Sequence, residues 1–173
     1  MKFKILFVIL LLCAAILFFY YSISPLKIVG YTVIHDKAII IEIKNEGKSD
    51  IQIENVLVDS HLNHVLIEFG VSYSLQVVNG TGLNKDNNIL FEEIGKQKIH
   101  PDLTYKKKME EIRMRNGTPI HYGIRINDEN IKEVIVSYRY WGMRFSKKVN
   151  FKSGDIGSAS DVQKSEPFWG HLV

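Results

Sequence analysis

The chain has 173 residues and a formal charge of +3, with Lys+Arg 22 against Asp+Glu 19. The two signs are interspersed, which reads as a soluble exterior and excludes a nucleic-acid-binding face. The lone cysteine, Cys13, excludes an intramolecular disulfide, so the fold must rest on packing.

The first element is the run Ile5 to Tyr21, ILFVILLLCAAILFFYY, which carries no charge. As an α-helix it would reach about 26 Å, close to the ~30 Å hydrocarbon core of a bilayer, and Ser22 and Ile23 close most of the gap. A run of this kind has no partner able to bury it in a chain this small, so it predicts one transmembrane helix. It is longer than the core of a signal peptide, and its end, Phe18-Phe19-Tyr20-Tyr21, suits an interfacial aromatic belt. The only small-x-small pattern, Ser22-Ile23-Ser24, is followed by Pro25, a poor residue beside a scissile bond. Residues 1–25 therefore read as an uncleaved signal-anchor. Leu12 before Cys13 is not the small residue that a lipoprotein site needs. Lys2 and Lys4 precede the run and Lys27 alone follows closely, which places the N-terminus in the cytoplasm and the body outside.

Residues 26–151 change to period two, the signature of half-buried strands. Ile28, Gly30 and Thr32 alternate with Val29, Tyr31 and Val33. From Lys37 to Asn45, Ile39, Ile41 and Ile43 share one face. Asn45-Glu46-Gly47-Lys48 supplies turn residues and predicts a hairpin to Ile51–Val58. There Ile51 and Ile53 lie out of phase with Val56 and Val58, which predicts a bulge near Glu54-Asn55. Val65 to Val77 keeps one phase, broken at Gly70, as one bent strand or two strands that change sheets. Asn79 to Asn88 is a Gly- and Asn-rich loop, Ile89–Ile94 a short strand, and His100-Pro101 a corner. Over 102–115, Tyr105, Met109 and Ile112 recur at helical spacing with Asn116-Gly117 as a stop. A short helix fits, and a surface strand is the alternative. Ile120 to Ile126 reads as a strand, and Val134–Tyr140 and Met143–Phe151 as a hairpin with Gly142 at its tip. Residues 152–173 lack periodicity and read as a disordered polar tail.

Seven to nine strands with little helix predict an all-β, antiparallel sandwich. IIIEIKNEGKSDIQIENVLV resembles the early hairpin of immunoglobulin-like domains on bacterial cell-envelope proteins. IKEVIVSYRYWGMRFSKKVNF resembles their closing hairpin. The resemblance implies an immunoglobulin-like β-sandwich with roles in adhesion, assembly or ligand holding. It supplies no catalytic residues and lacks the Cys…Trp…Cys signature of antibody domains.

Asp59, His61 and His64 in DSHLNH have the residue types of a zinc site, but a solvated turn looks the same, and the other histidines are scattered. Glu92-Glu93, Glu110-Glu111 and Asp128-Glu129 are adjacent pairs, and neighbours on a strand face opposite ways rather than forming an acid–base dyad. No nucleophile elbow, metalloprotease, P-loop or dinucleotide motif occurs. The expectation is no catalytic residue, no metal and no cofactor. Asn79-Gly80-Thr81 and Asn116-Gly117-Thr118 match the N-glycosylation pattern and also ordinary turn chemistry. The candidates for a binding surface are the basic cluster Lys106, Lys107 and Lys108, the aromatics Tyr140 and Trp141, and Phe168-Trp169 in the tail. The expected protein is a non-catalytic single-pass membrane protein with an extracytoplasmic binding or assembly module. Its partners are the membrane and another envelope protein or a wall polymer. The alternatives are a hydrolase or metal enzyme using the His61–His64 loop, or a structural spacer.

Overall fold

The computed structural model describes residues 7, 9–12, 24–34, 38–59, 65–78, 88–128 and 131–151. Among the described residues, alternating Ile, Val and Tyr give nine strands: β1 Leu26–Ile34, β2 Ala38–Asn45, β3 Ile51–Val58, β4 Ile67–Ser72, β5 Ile89–Glu92, β6 Lys98–Ile99, β7 His121–Ile126, β8 Glu133–Tyr140 and β9 Met143–Asn150. One helix of ten residues, α1 Tyr105–Met114, sits between β6 and β7. All strand pairs are antiparallel. One sheet runs β1-β2-β7-β4-β5 and the other β6-β3-β8-β9. Two antiparallel sheets with little helix are consistent with an all-β sandwich.

The inward faces make one core. Ile39, Ile41 and Ile43 of β2 and Tyr122, Ile124 and Ile126 of β7 meet Ile51 and Ile53 of β3 and Val134, Val136 and Tyr138 of β8. Tyr138 stacks on Phe145 with ring centroids 5.6 Å apart. A second, smaller cluster lies behind β2, where Ile40, Val78 and Ile89 are buried. β2 is therefore covered on both faces along part of its length. Gly70 keeps β4 close to this cluster: a Cβ there would fall 2.5 Å from Val78 Cγ1 and 2.9 Å from Phe91. Gly70 thus marks a close approach within a single strand and not a change of sheet.

The register slips between Ile53 and Asn55, as the phase change predicted, and the slip keeps Val56 on the core side with Ile51 and Ile53. A second slip, between Ile28 and Gly30, puts Leu26, Ile28 and Tyr31 on the inside. Lys147 of β9 is 9% exposed on an edge strand, and burial pushes its ammonium pKa down. An inward charge at an edge discourages pairing with another chain.

The expected hairpin from β2 to β3 does not form. β2 is flanked by β1 and β7, so both its edges are taken, and β3 lies in the other sheet. Asn45 directs the crossing. Its Oδ1 accepts from the Gly47 N–H at 2.8 Å, and its Nδ2 donates to Ser49 O at 2.7 Å and Ile99 O at 2.9 Å. Such an Asx turn redirects the chain without a paired strand on either side.

The helix over 102–115 does form, but its face differs from the expected stripe. Tyr105 and Met109 are exposed, and none of its residues is fully buried. It stops at Arg115 in the left-handed region, where the Arg115 and Asn116 N–H groups donate to Ile112 O and Glu111 O. Among the described residues no helix is long and apolar enough to cross a membrane. Of the apolar run, Phe7 and residues 9–12 are described; they are helical, and Leu10 and Leu12 are more than half exposed. The rest of the run and the tail 152–173 lie outside the described residues.

Candidate functional site

The sandwich has two poles. At one, Pro25 precedes β1 and meets the turn that leaves β2: its carbonyl accepts from the Glu46 N–H at 2.8 Å. The turn also touches the tip of the closing hairpin, because the Tyr140 hydroxyl accepts from the Lys48 N–H at 3.0 Å. Gly47 is squeezed between them; a Cβ there would fall 2.6 Å from the Tyr140 hydroxyl and 2.9 Å from Pro25 Cβ. Asn45 then ties the pole to the segment that leads into α1, since its carbonyl accepts from the Asp102 N–H at 2.8 Å.

The candidate surface residues divide on this frame. Lys106 and Lys107 are exposed on α1. Lys108 turns toward the body and pairs with Asp102 at 2.8 Å. Tyr140 is a correction: only 3% of it is exposed, because β8 points it inward against Gly47, and it serves the core. Its neighbour Trp141 is 55% exposed and stacks on Tyr140 with centroids 4.9 Å apart. Trp141 and Gly142 both have positive φ, 50° and 77°, so the tip between Tyr140 and Met143 is a two-residue turn of the mirror-image kind that hairpins favour. Phe168 and Trp169 lie outside the described residues.

Beneath α1 is an open pocket of about 220 Å³ that the sequence did not reveal. Its polar lining includes Glu42, Asn45, Asp102, Lys108, His121 and Tyr122. β2 and β7 pair Glu42 with Gly123, which sets His121 diagonally across from Glu42, with Nδ1 3.8 Å from Oε1. Burial pushes the Glu42 carboxyl up; the nearby Lys108 and Lys44 oppose it. Burial pushes the His121 imidazole down, and Lys108 adds to this. Burial also pushes the Tyr122 phenol up to about 12. The Tyr122 hydroxyl accepts from the His100 N–H at 3.1 Å. The pocket offers two paired ammonium groups, Lys108 with Asp102 and Lys44 with Glu46, together with an imidazole and a carboxyl whose charged forms burial disfavours. These can hold a small polar molecule or shuttle a proton. None of the described lining residues is Ser, Thr or Cys, so it presents no hydroxyl or thiol nucleophile of those types. The sequence signal was slight: Glu42 is the one carboxylate in a run of isoleucines, and only the pairing of β2 with β7 brings His121 to it.

The DSHLNH segment is only partly described. Asp59 accepts from the Lys132 and Glu133 N–H groups at 2.8 and 2.6 Å, so its carboxylate closes the entry to β8. His61 and His64 lie outside the described residues. Among the described residues, no group of three or more His, Cys, Asp or Glu could hold a metal ion. At Asn116-Gly117-Thr118, the Asn116 amide and the Thr118 hydroxyl both donate to the Glu111 carboxylate, which fits helix-stop chemistry. No protein-family model, no curated protein and no solved structure matches the chain.

Proposed function

We propose that the protein is a single-pass membrane protein, N-terminus cytoplasmic, that holds an extracytoplasmic immunoglobulin-like sandwich as a non-catalytic binding or assembly module. Its partner is another envelope protein or a wall polymer. The observation that carries this reading is the charge-free run Ile5–Tyr21 placed just before Pro25 and β1. A stretch of that composition finds its solvent in lipid. The exposed apolar side chains at Leu10 and Leu12 agree with it.

The strand order supports the immunoglobulin-like assignment. Taking β1 to β4 as A to D, and β7, β8 and β9 as E, F and G, gives A-B-E-D in one sheet and C-F-G in the other. β5 then extends the first sheet beyond D, and β6 extends the second beyond C. The Glu42–His121 pocket stands beside this reading as a place for a small polar ligand. Cross-linking in intact cells, followed by purification of the full chain, tests the module. A reproducible envelope protein or wall-polymer adduct supports it, and repeated recovery of the chain alone contradicts it.

A further inference from the structure

The chain between the apolar run and the body is short. Four peptide steps join Tyr21 to Pro25, so their Cα atoms stand at most about 14 Å apart. If the run stays in lipid, whatever surrounds Pro25 is held close to the headgroups, not much farther than the ~8–10 Å over which charge is felt in physiological salt.

A chain of contacts shows what surrounds Pro25. Pro25 and Tyr140 flank Gly47. Trp141 stacks on Tyr140. Asn45 bonds to Asp102, and Asp102 holds Lys108 of α1. The pole thus gathers Trp141 at one side and α1 at the other. α1 and Arg115 carry Lys106, Lys107, Lys108, Arg113 and Arg115 against Glu110 and Glu111. Glu111 is occupied by Asn116 and Thr118, and Lys108 by Asp102. Tyr105, Met109 and Met114 stand exposed among these charges, at 69%, 42% and 62%.

Trp141 is the telling residue. A turn with positive φ at both central positions favours Asn-Gly, and a bulky residue there is strained. The fold would be served better by Asn. An amphipathic ring kept out in solvent at such a position suits a membrane interface, where one end is apolar and the other wet.

We propose that this pole is a lipid-facing surface. Trp141 and the exposed Tyr and Met of α1 rest in the headgroup region, and Lys106, Lys107, Arg113 and Arg115 engage anionic lipid. This rests on the tethered reading above and deepens it. It leaves the opposite pole, where Asp59, Asn127 and Phe151 lie, turned outward toward a partner.

The test uses the full chain carrying Trp169→Phe, which leaves Trp141 as the sole tryptophan. The chain is reconstituted into vesicles of mixed phosphatidylglycerol and phosphatidylcholine, or of phosphatidylcholine alone. In the mixed vesicles Trp141 should emit to the blue, be quenched by brominated acyl chains and resist iodide. The triple variant Lys106→Glu, Lys107→Glu, Arg113→Glu should stay anchored and lose that quenching. A single Lys106→Ala should weaken the contact about fivefold. Trypsin cleavage at Lys106–Lys108 should be slowed on mixed vesicles. Trp141→Asn, which suits the turn and keeps the fold, should abolish the slowing. A chain that floats with vesicles while Trp141 remains open to iodide overturns the lipid-facing pole and leaves tethering intact. A chain that does not float overturns both. Trp141 untouched by lipid quenchers but shielded by purified wall polymer overturns the lipid assignment in favour of the polymer.

Discussion

Between the sheets, Ile39, Ile41, Ile43, Ile51 and Ile53 meet as interchangeable apolar surface, each 2% exposed or less. At the Pro25 pole, order comes instead from single polar atoms: one asparagine amide with three hydrogen bonds, one tyrosine hydroxyl and one glycine without room for a Cβ. The difference has consequences. Apolar packing is distributed, and the fold responds as a whole when it is lost. A hydrogen-bonded corner is local, and losing one group should loosen that corner first.

Phe69→Ala removes a ring that is 1% exposed and 6.0 Å from Tyr122. It should cost about 3–5 kcal/mol in denaturant unfolding and lower protection throughout both sheets. Asn45→Ala should cost about 2–3 kcal/mol, because the Gly47 N–H and the Ile99 carbonyl lose their partner. Its signature is hydrogen exchange: the Gly47 amide should speed up while Ile41 and Ile124 stay protected. Uniform loss of protection would erase the distinction between corner and core. Gly70→Ala should cost about 1–2 kcal/mol through the clash with Val78, and Val78→Ala in the same chain should recover part of it.

Burial lowers the pKa of His121 from 6.5, so the unfolded chain binds its proton more readily. The stability it contributes is complete above pH 6.5 and is lost as pH falls from there toward the folded value. Glu42, raised from 4.5, works in the opposite sense, its burial being least costly when protonated. Urea midpoints on the two sides of pH 6.5 should therefore drop toward acid, and His121→Gln should flatten the drop. Lys106→Ala with Lys107→Ala should change stability by less than about 0.5 kcal/mol, because both side chains stand in solvent.

Much of the interior was legible in the sequence. Period-two runs located most strands, the phase break in Ile51–Val58 located a bulge, and Gly142 located the closing turn. The pole was not legible, for a physical reason. Asn45-Glu46-Gly47-Lys48 has the composition of a hairpin turn, and nothing local says that β1 and β7 already occupy both edges of β2. Tyr105, Met109 and Ile112 suggested a helix but not its orientation, which the Lys108–Asp102 pair fixes from outside the helix. Tyr140 and Trp141 are neighbours with opposite fates, because the turn begins between them. The Glu42–His121 approach depends on pairing between strands far apart in sequence.

Protease shaving of intact cells, with carbonate washing of their membranes, tests the tether directly. Tethering predicts that the body is cut from outside while the residues before Pro25 stay with the washed membrane. A body protected from external protease, or a chain recovered free in the medium with its N-terminus after Ser24, would contradict it.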